Sequence, residues 1–237
     1  SYNYLNKNIM NYYSLNKKSS NVSFKEALIK GLAPDKGLYF PEKINKLSES
    51  FIVNINNYSN EEIAYECIHQ FIGNDIPESD LRKIIADVLS FDFPLTKLND
   101  QISFLELFHG PTMAFKDVGA RFMARCLEYF LKNQDENKLV TVLVATSGDT
   151  GGAVASGFYK VNGIKVVILY PKGKVSKVQE KQLTTLGENI TALEVDGTFD
   201  DCQAMVKKAF LDDDLLNKIS LTSANSINIA RLSLIHI

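Results

Sequence analysis

Leu139-Val140-Thr141-Val142-Leu143-Val144-Ala145-Thr146-Ser147-Gly148-Asp149-Thr150-Gly151-Gly152-Ala153-Val154-Ala155 decides the fold. Residues 139–145 are an almost continuous apolar run, far too short to span a bilayer and rich in valine, which reads as a strand buried on both faces. Small and hydroxylated residues make a turn after it, and a helix begins at about Gly151. A second apolar run, residues 164–170, follows that helix. Strand, helix and strand at this spacing form a βαβ unit with parallel strands.

The alternation continues on both sides. Upstream, residues 102–107 read as a strand and a helix starts at about Asp117. Downstream come a helix over 176–186, a strand over 190–195, a helix over 199–211 and a strand over 219–221. Residues 94–237 are therefore expected to be α/β, a parallel sheet covered by helices on both faces. Ligands of such sheets sit beyond the carboxyl ends of the strands, and Lys116 and the turns at Thr146, Pro171 and Asp196 are expected there. Residues 222–232 read as one more strand-end loop entering a helix.

Residues 1–93 have a different pattern and are expected to be a small, mainly helical domain. Ser23 with Glu26, and Ser59 with Glu62, have capping-box spacing ahead of apolar residues. Pro77 opens a helix that carries Leu81, Ile84, Ile85, Val88 and Leu89 on one side. Residues 31–41 alternate Gly and Pro with apolar residues, as an ordered loop does. Residues 1–20, rich in Asn, Tyr and Lys, are expected to be a partly ordered arm.

Composition limits the function. The 237 residues are 45% hydrophobic and 23% charged, an ordinary globular balance, and the net charge of -2 gives no basic field for nucleic acid or an anionic membrane. Cys67, Cys126 and Cys202 are widely spaced, which suggests neither a disulfide framework nor a metal site. No secretory pattern occurs in residues 1–20, and the expected location is cytoplasmic.

Two stretches carry candidate chemistry. In Thr146-Ser147-Gly148-Asp149-Thr150, small residues let backbone N–H groups approach an anion, a helix N-terminus favours negative charge, and hydroxyls add donors. The spacing is not that of a Walker loop, a dinucleotide-binding G-x-G-x-x-G or a nucleophile elbow. A carboxylate or phosphate suits it, although the same turn also serves as plain strand-to-helix geometry. The second stretch is Glu106-Leu107-Phe108-His109-Gly110-Pro111-Thr112-Met113-Ala114-Phe115-Lys116-Asp117. It delivers Lys116 to the positive end of a helix dipole, where the neutral amine that attacks a carbonyl is favoured. The plainer alternative is a solvated lysine beside Asp117, with Phe115 in the core and His109 merely hydrogen-bonded.

Taken together and in order, residues 31–41, 106–124, 145–155 and 225–231 resemble the threonine synthases of the bacterial and fungal type. The resemblance implies a pyridoxal-phosphate fold of the tryptophan-synthase-β-like kind behind the family's own N-terminal domain. It places Lys116 on the family's Schiff-base lysine with Phe115 beside the cofactor. Thr146, Ser147, Gly148, Asp149, Thr150 and Asn225 fall on substrate-binding positions. The implied substrate is O-phospho-L-homoserine, which would give L-threonine and phosphate by γ-elimination and β-addition of water, in a monomer or homodimer. A lyase releasing 2-oxobutyrate, and a non-catalytic paralogue acting as a binding module, are the alternatives. The likeness runs from Met10 to Leu232 and stops there, so the second half of the family's chain, with the cup for the cofactor phosphate, is expected to be missing.

Overall fold

The computed structural model describes residues 10–132 and 139–234. The chain divides into two compact units, residues 1–90 with 226–237, and residues 91–225. The sequence pattern puts the end of the first domain at residue 93 and keeps the whole tail with the second. The structure instead groups the chain beyond Asn225 with the first unit, for a local reason: buried Asn228 donates its Nδ2 to the Leu28 carbonyl at 2.9 Å.

The first unit contains β1 (Tyr12–Ser14), α1 (Phe24–Lys30), β2 (Tyr39–Pro41), α2 (Glu49–Val53), a 3-10 turn (Ile55–Asn57), α3 (Asn60–Ile72) and α4 (Glu78–Val88). The capping signals act as expected. Ser23 accepts from Glu26 N, and Ser59 with Glu62 closes a complete capping box. Leu81, Ile84, Ile85 and Val88 form the buried side of α4, while Pro77 stands just ahead of that helix as its N-cap.

The amino-terminal arm needs correction. Residues 1–9 lie outside the described residues, but β1 is antiparallel to β2, with Tyr12 opposite Pro41. Tyr12 is fully buried and donates its hydroxyl to the Phe71 carbonyl at 2.7 Å. Tyrosine can cover apolar surface and still hydrogen-bond, so a segment of polar appearance packs after all.

The second unit opens with β3 (Leu95–Lys97) and β4 (Ser103–Leu105), then α5 (Lys116–Lys132), β5 (Val140–Ala145), α6 (Asp149–Phe158), β6 (Ile164–Pro171) and α7 (Lys177–Thr184). It ends with β7 (Ile190–Val195), α8 (Phe199–Ala209), α9 (Asp213–Leu216) and β8 (Ser220–Ser223). Strands β7, β6, β5 and β8 lie in that order in a four-stranded sheet, every pair parallel. All six residues of β5 are buried, as a strand covered on both faces requires. Leu143 and Ala145 share a cluster with Leu169, Leu221 and the α8 residues Cys202 and Val206. Val142 and Val144, also buried, point to the opposite face by strand alternation. There α5 and α6 pack together so closely that a Cβ on Gly157 would lie 3.1 Å from the Ala120 backbone.

One strand differs from its reading. The stretch expected at 102–107 contributes only β4, which pairs antiparallel with β3 as a separate two-stranded hairpin. All six hairpin residues are exposed. Lys116 is therefore not at the end of a strand of the parallel sheet; a loop beyond the hairpin delivers it. The last expected helix is 3-10, Ile229–Leu234, and residues 235–237 lie outside the described residues.

Candidate active site

The order of the sheet locates the site. From β5 the chain steps outward to β6 and β7, then returns to place β8 on the other side of β5. The strand order therefore reverses between β5 and β8, and ligands of open α/β sheets bind outside the carboxyl ends of strands at such a point. The turn after β5 begins with Thr146, and the turn after β8 contains Asn225.

Thr146 is buried, and its Oγ1 accepts from Gly148 N at 2.9 Å and from Gly151 N at 2.8 Å. These bonds curl the chain into α6. Gly148 has φ 137° and ψ -81°, a conformation strained for any residue with a Cβ. The N–H groups of Ser147, Asp149 and Thr150 make no hydrogen bond among the described residues, so they remain available at the positive end of α6. Ser147 and Asp149 are exposed and Thr150 is half-buried.

Asn225 ties the two turns together. Its Nδ2 donates to the Ala145 carbonyl at 3.2 Å, and Ser223 Oγ donates to its Oδ1 at 3.3 Å. The amide thus bridges the ends of β8 and β5. With both of these polar groups engaged, its geometry is that of a brace between the turns.

Lys116 is the first residue of α5, with its side chain 26% exposed. Its Nζ stands 3.8 Å from Asp149 Oδ2 and 4.4 Å from the centre of the Phe115 ring. Lysine and loop, far apart in the sequence, therefore meet through Asp149. Phe115 is 49% exposed, so the reading of it as a core residue is corrected: its ring shields the amine and is open to solvent. His109 is the hydrogen-bonded histidine expected, 2.7 Å from Glu106 Oε2. That bond, with a second from Thr96, holds the Glu106 carboxyl below its usual range.

Asp117, Thr112, Gln179 and Gln182 support the site without standing out in the sequence. Asp117, which the sequence shows only as a neighbour of a lysine, is buried. It accepts from Thr112 N at 2.9 Å and Thr112 Oγ1 at 2.6 Å, latching the Gly110-Pro111-Thr112 turn onto the first turn of α5. Gln182 of α7 donates to the Thr112 carbonyl at 3.4 Å. The five-residue spacing of Thr112 and Asp117 before an amphipathic helix is the one local signal; nothing local marks Gln179 or Gln182. The thiols of Cys126, Cys67 and Cys202 are all pushed upward, chiefly by burial, so none of these three is an activated thiolate.

An amine beside donors for an anion can hold a carbonyl compound that carries an acidic group. Comparison with known proteins gives this a family context. Residues 93–231 match the family described as pyridoxal-phosphate dependent enzyme, and residues 11–89 match the threonine synthase N terminus. The chain is 46% identical over 224 residues to the threonine synthase of Buchnera aphidicola subsp. Baizongia pistaciae, covering 94% of this chain and 52% of that one. The crystal structure of threonine synthase from Escherichia coli superposes with a TM-score of 0.87 at 43% identity, over 94% of this chain and 51% of that chain. The pyridoxal-phosphate-bound threonine synthase from Brucella melitensis gives 0.85 at 37%, over 94% and 49%. The chain spans about half the length of the curated relatives it matches.

Proposed function

The chain belongs to the pyridoxal-phosphate dependent enzymes, and from that membership we propose that the full-length protein is a threonine synthase, converting O-phospho-L-homoserine and water to L-threonine and phosphate. The observation that carries the reading is the meeting of the Lys116 amine with the turn after β5, through Asp149 at 3.8 Å. Relatives such as one at 46% identity carry the name threonine synthase, which supports that reading.

The residues present fit the cofactor's chemistry. Lys116 offers a half-shielded amine for its aldehyde, and the half-exposed Phe115 ring offers an apolar surface beside that amine. The turn 146–150 is left for the substrate's α-carboxylate: the N–H groups of Ser147, Asp149 and Thr150 and the hydroxyls of Ser147 and Thr150 are its donors. Gly148 and Thr146 set its shape and Asn225 braces it.

When bound, pyridoxal phosphate supplies the electron sink for the pairs left by proton removal at Cα and then at Cβ. Lys116 would hold the cofactor through its amine, and that same amine would be the group that takes the Cα proton. A carboxylate fixed in the turn keeps Cα in reach of that amine throughout. The two protons taken from Cα and Cβ would be made good at Cγ, which phosphate leaves, and at Cα once water has added at Cβ, so substrate and water balance threonine and phosphate.

The test is to add pyridoxal phosphate to full-length protein, reduce with borohydride and map the modified peptide. Modification at Lys116 is expected, together with L-threonine as the product from O-phospho-L-homoserine. No modification at Lys116 overturns the assignment, and 2-oxobutyrate without threonine replaces it with the lyase reading.

A further inference from the structure

Asp149 has a second partner. Its Oδ2 faces Lys116, and its Oδ1 accepts a hydrogen bond from Gln179 Nε2 at 2.7 Å. Gln179 is in turn fixed at the first turn of α7, where its Oε1 accepts from Ser176 N at 3.0 Å and its own N–H donates to Ser176 Oγ at 3.2 Å. The amide also rests against the backbone of the turn after β5, since a Cβ on Gly148 would lie 2.3 Å from Gln179 Cδ. Oxygen and nitrogen of one side chain are therefore assigned to different partners by α7 and the turn.

The choice of glutamine is informative. Three capping boxes occur among the described residues, and those of α3 and α8 close with the carboxylates of Glu62 and Asp201. A carboxylate serves the N-cap N–H as well as an amide oxygen does. The α7 box alone among the three closes with an amide, which keeps N–H donors free after its oxygen is engaged, and it is the box that touches the turn after β5. Capping accounts for the oxygen of Gln179 and leaves its nitrogen to Asp149.

We propose that Gln179 is a positioning residue for the site: it holds the Asp149 carboxylate on the side of the Lys116 amine. Unheld, a half-exposed aspartate exchanges rotamers freely. Held at one oxygen, it keeps the other turned to the amine and fixes where that amine rests. The value of this for turnover rests on the function proposed above, whereas the relay from Ser176 through Gln179 and Asp149 to Lys116 is a property of the chain itself.

The test reads the amine directly, in full-length protein freed of cofactor. Acetylation of Lys116 by acetic anhydride is followed by mass spectrometry and expressed relative to Lys132 on the same helix. Gln179→Met and Asp149→Asn are each expected to raise the ratio about two- to threefold, as loss of a half-exposed ion pair allows, and the double variant to add nothing. Ser176→Ala is the control for capping; it is expected to lower the melting temperature and leave the ratio unchanged. An unchanged ratio in Gln179→Met, an additive double variant, or an equal rise in Ser176→Ala overturns the proposal. Where Gln179→Met fails to fold, Gln179→Glu keeps the cap in the form of the other two boxes, and a wild-type ratio in that variant also overturns it. Failure of borohydride to fix the cofactor on Lys116 counts against the function and leaves the labelling result standing.

Discussion

Thr146 shows how one hydroxyl can shape a turn. Its oxygen satisfies the N–H groups of Gly148 and Gly151, which would otherwise be buried and unpaired. Thr146→Val keeps the shape and removes the acceptor, so a loss of about 2–4 kcal/mol is expected in urea unfolding, with Thr146→Ser recovering most of it. At Lys116, alanine or arginine is expected to abolish both borohydride fixation of the cofactor and threonine formation in full-length protein. Arginine keeps the positive charge but has no neutral amine to offer. Asp35 gives a residue-scale prediction in pH. Its carboxyl accepts from Ser14 Oγ, Gly37 N and Lys18 N, and these bonds, Ser14's first, hold it at about 2. The unfolded value is about 3.9, so the stabilisation is complete above that pH and is lost as pH falls through about 2. The stability difference between wild type and Asp35→Asn, followed by circular dichroism, is expected to shrink between pH 4 and pH 2.

At the scale of elements, α5 depends on a latch at its start. Asp117 joins the Thr112 turn to the first helical turn, and Lys116 stands between them in sequence. Asp117→Ala leaves the buried Thr112 N–H and hydroxyl without their acceptor and is expected to cost about 2–3 kcal/mol in urea unfolding. Cofactor fixation at Lys116 should fall with it, because the helix start that presents the amine is loosened. Most of these elements are legible in the sequence itself. Capping-box spacing marks the starts of α1 and α3, the valine-rich run marks β5, and the apolar spacing marks the buried side of α4. Residues 102–107 mislead for a physical reason: a strand's pairing partner is absent from its own pattern, and an alternating apolar segment suits a hairpin as well as a parallel sheet. The 3-10 form of Ile229–Leu234 is hidden for a similar reason, since its periodicity is close to that of an α-helix.

For the whole molecule, residues 95–115 contain Leu95, Phe104, Leu105, Phe108, Met113 and Phe115, each about half-exposed or more. Exposed apolar residues at this density are the sort of surface that other protein covers. The 237-residue chain alone is therefore expected to bind a hydrophobic dye and self-associate in size-exclusion chromatography more strongly than full-length protein, and to turn over little. Phe104→Ser with Leu105→Lys should reduce both effects. By itself the sequence determined the α/β class and the helical character of the first unit, and it marked two stretches as candidates for chemistry, because burial period, capping and turn composition are local properties. Only the tertiary structure decided that β8 lies beside β5, which makes the switch point, and that Asn225, Asp149 and Gln179 converge there. Strand order and side-chain partners 30 or 80 residues apart are set by how the chain closes on itself, and no local pattern records them.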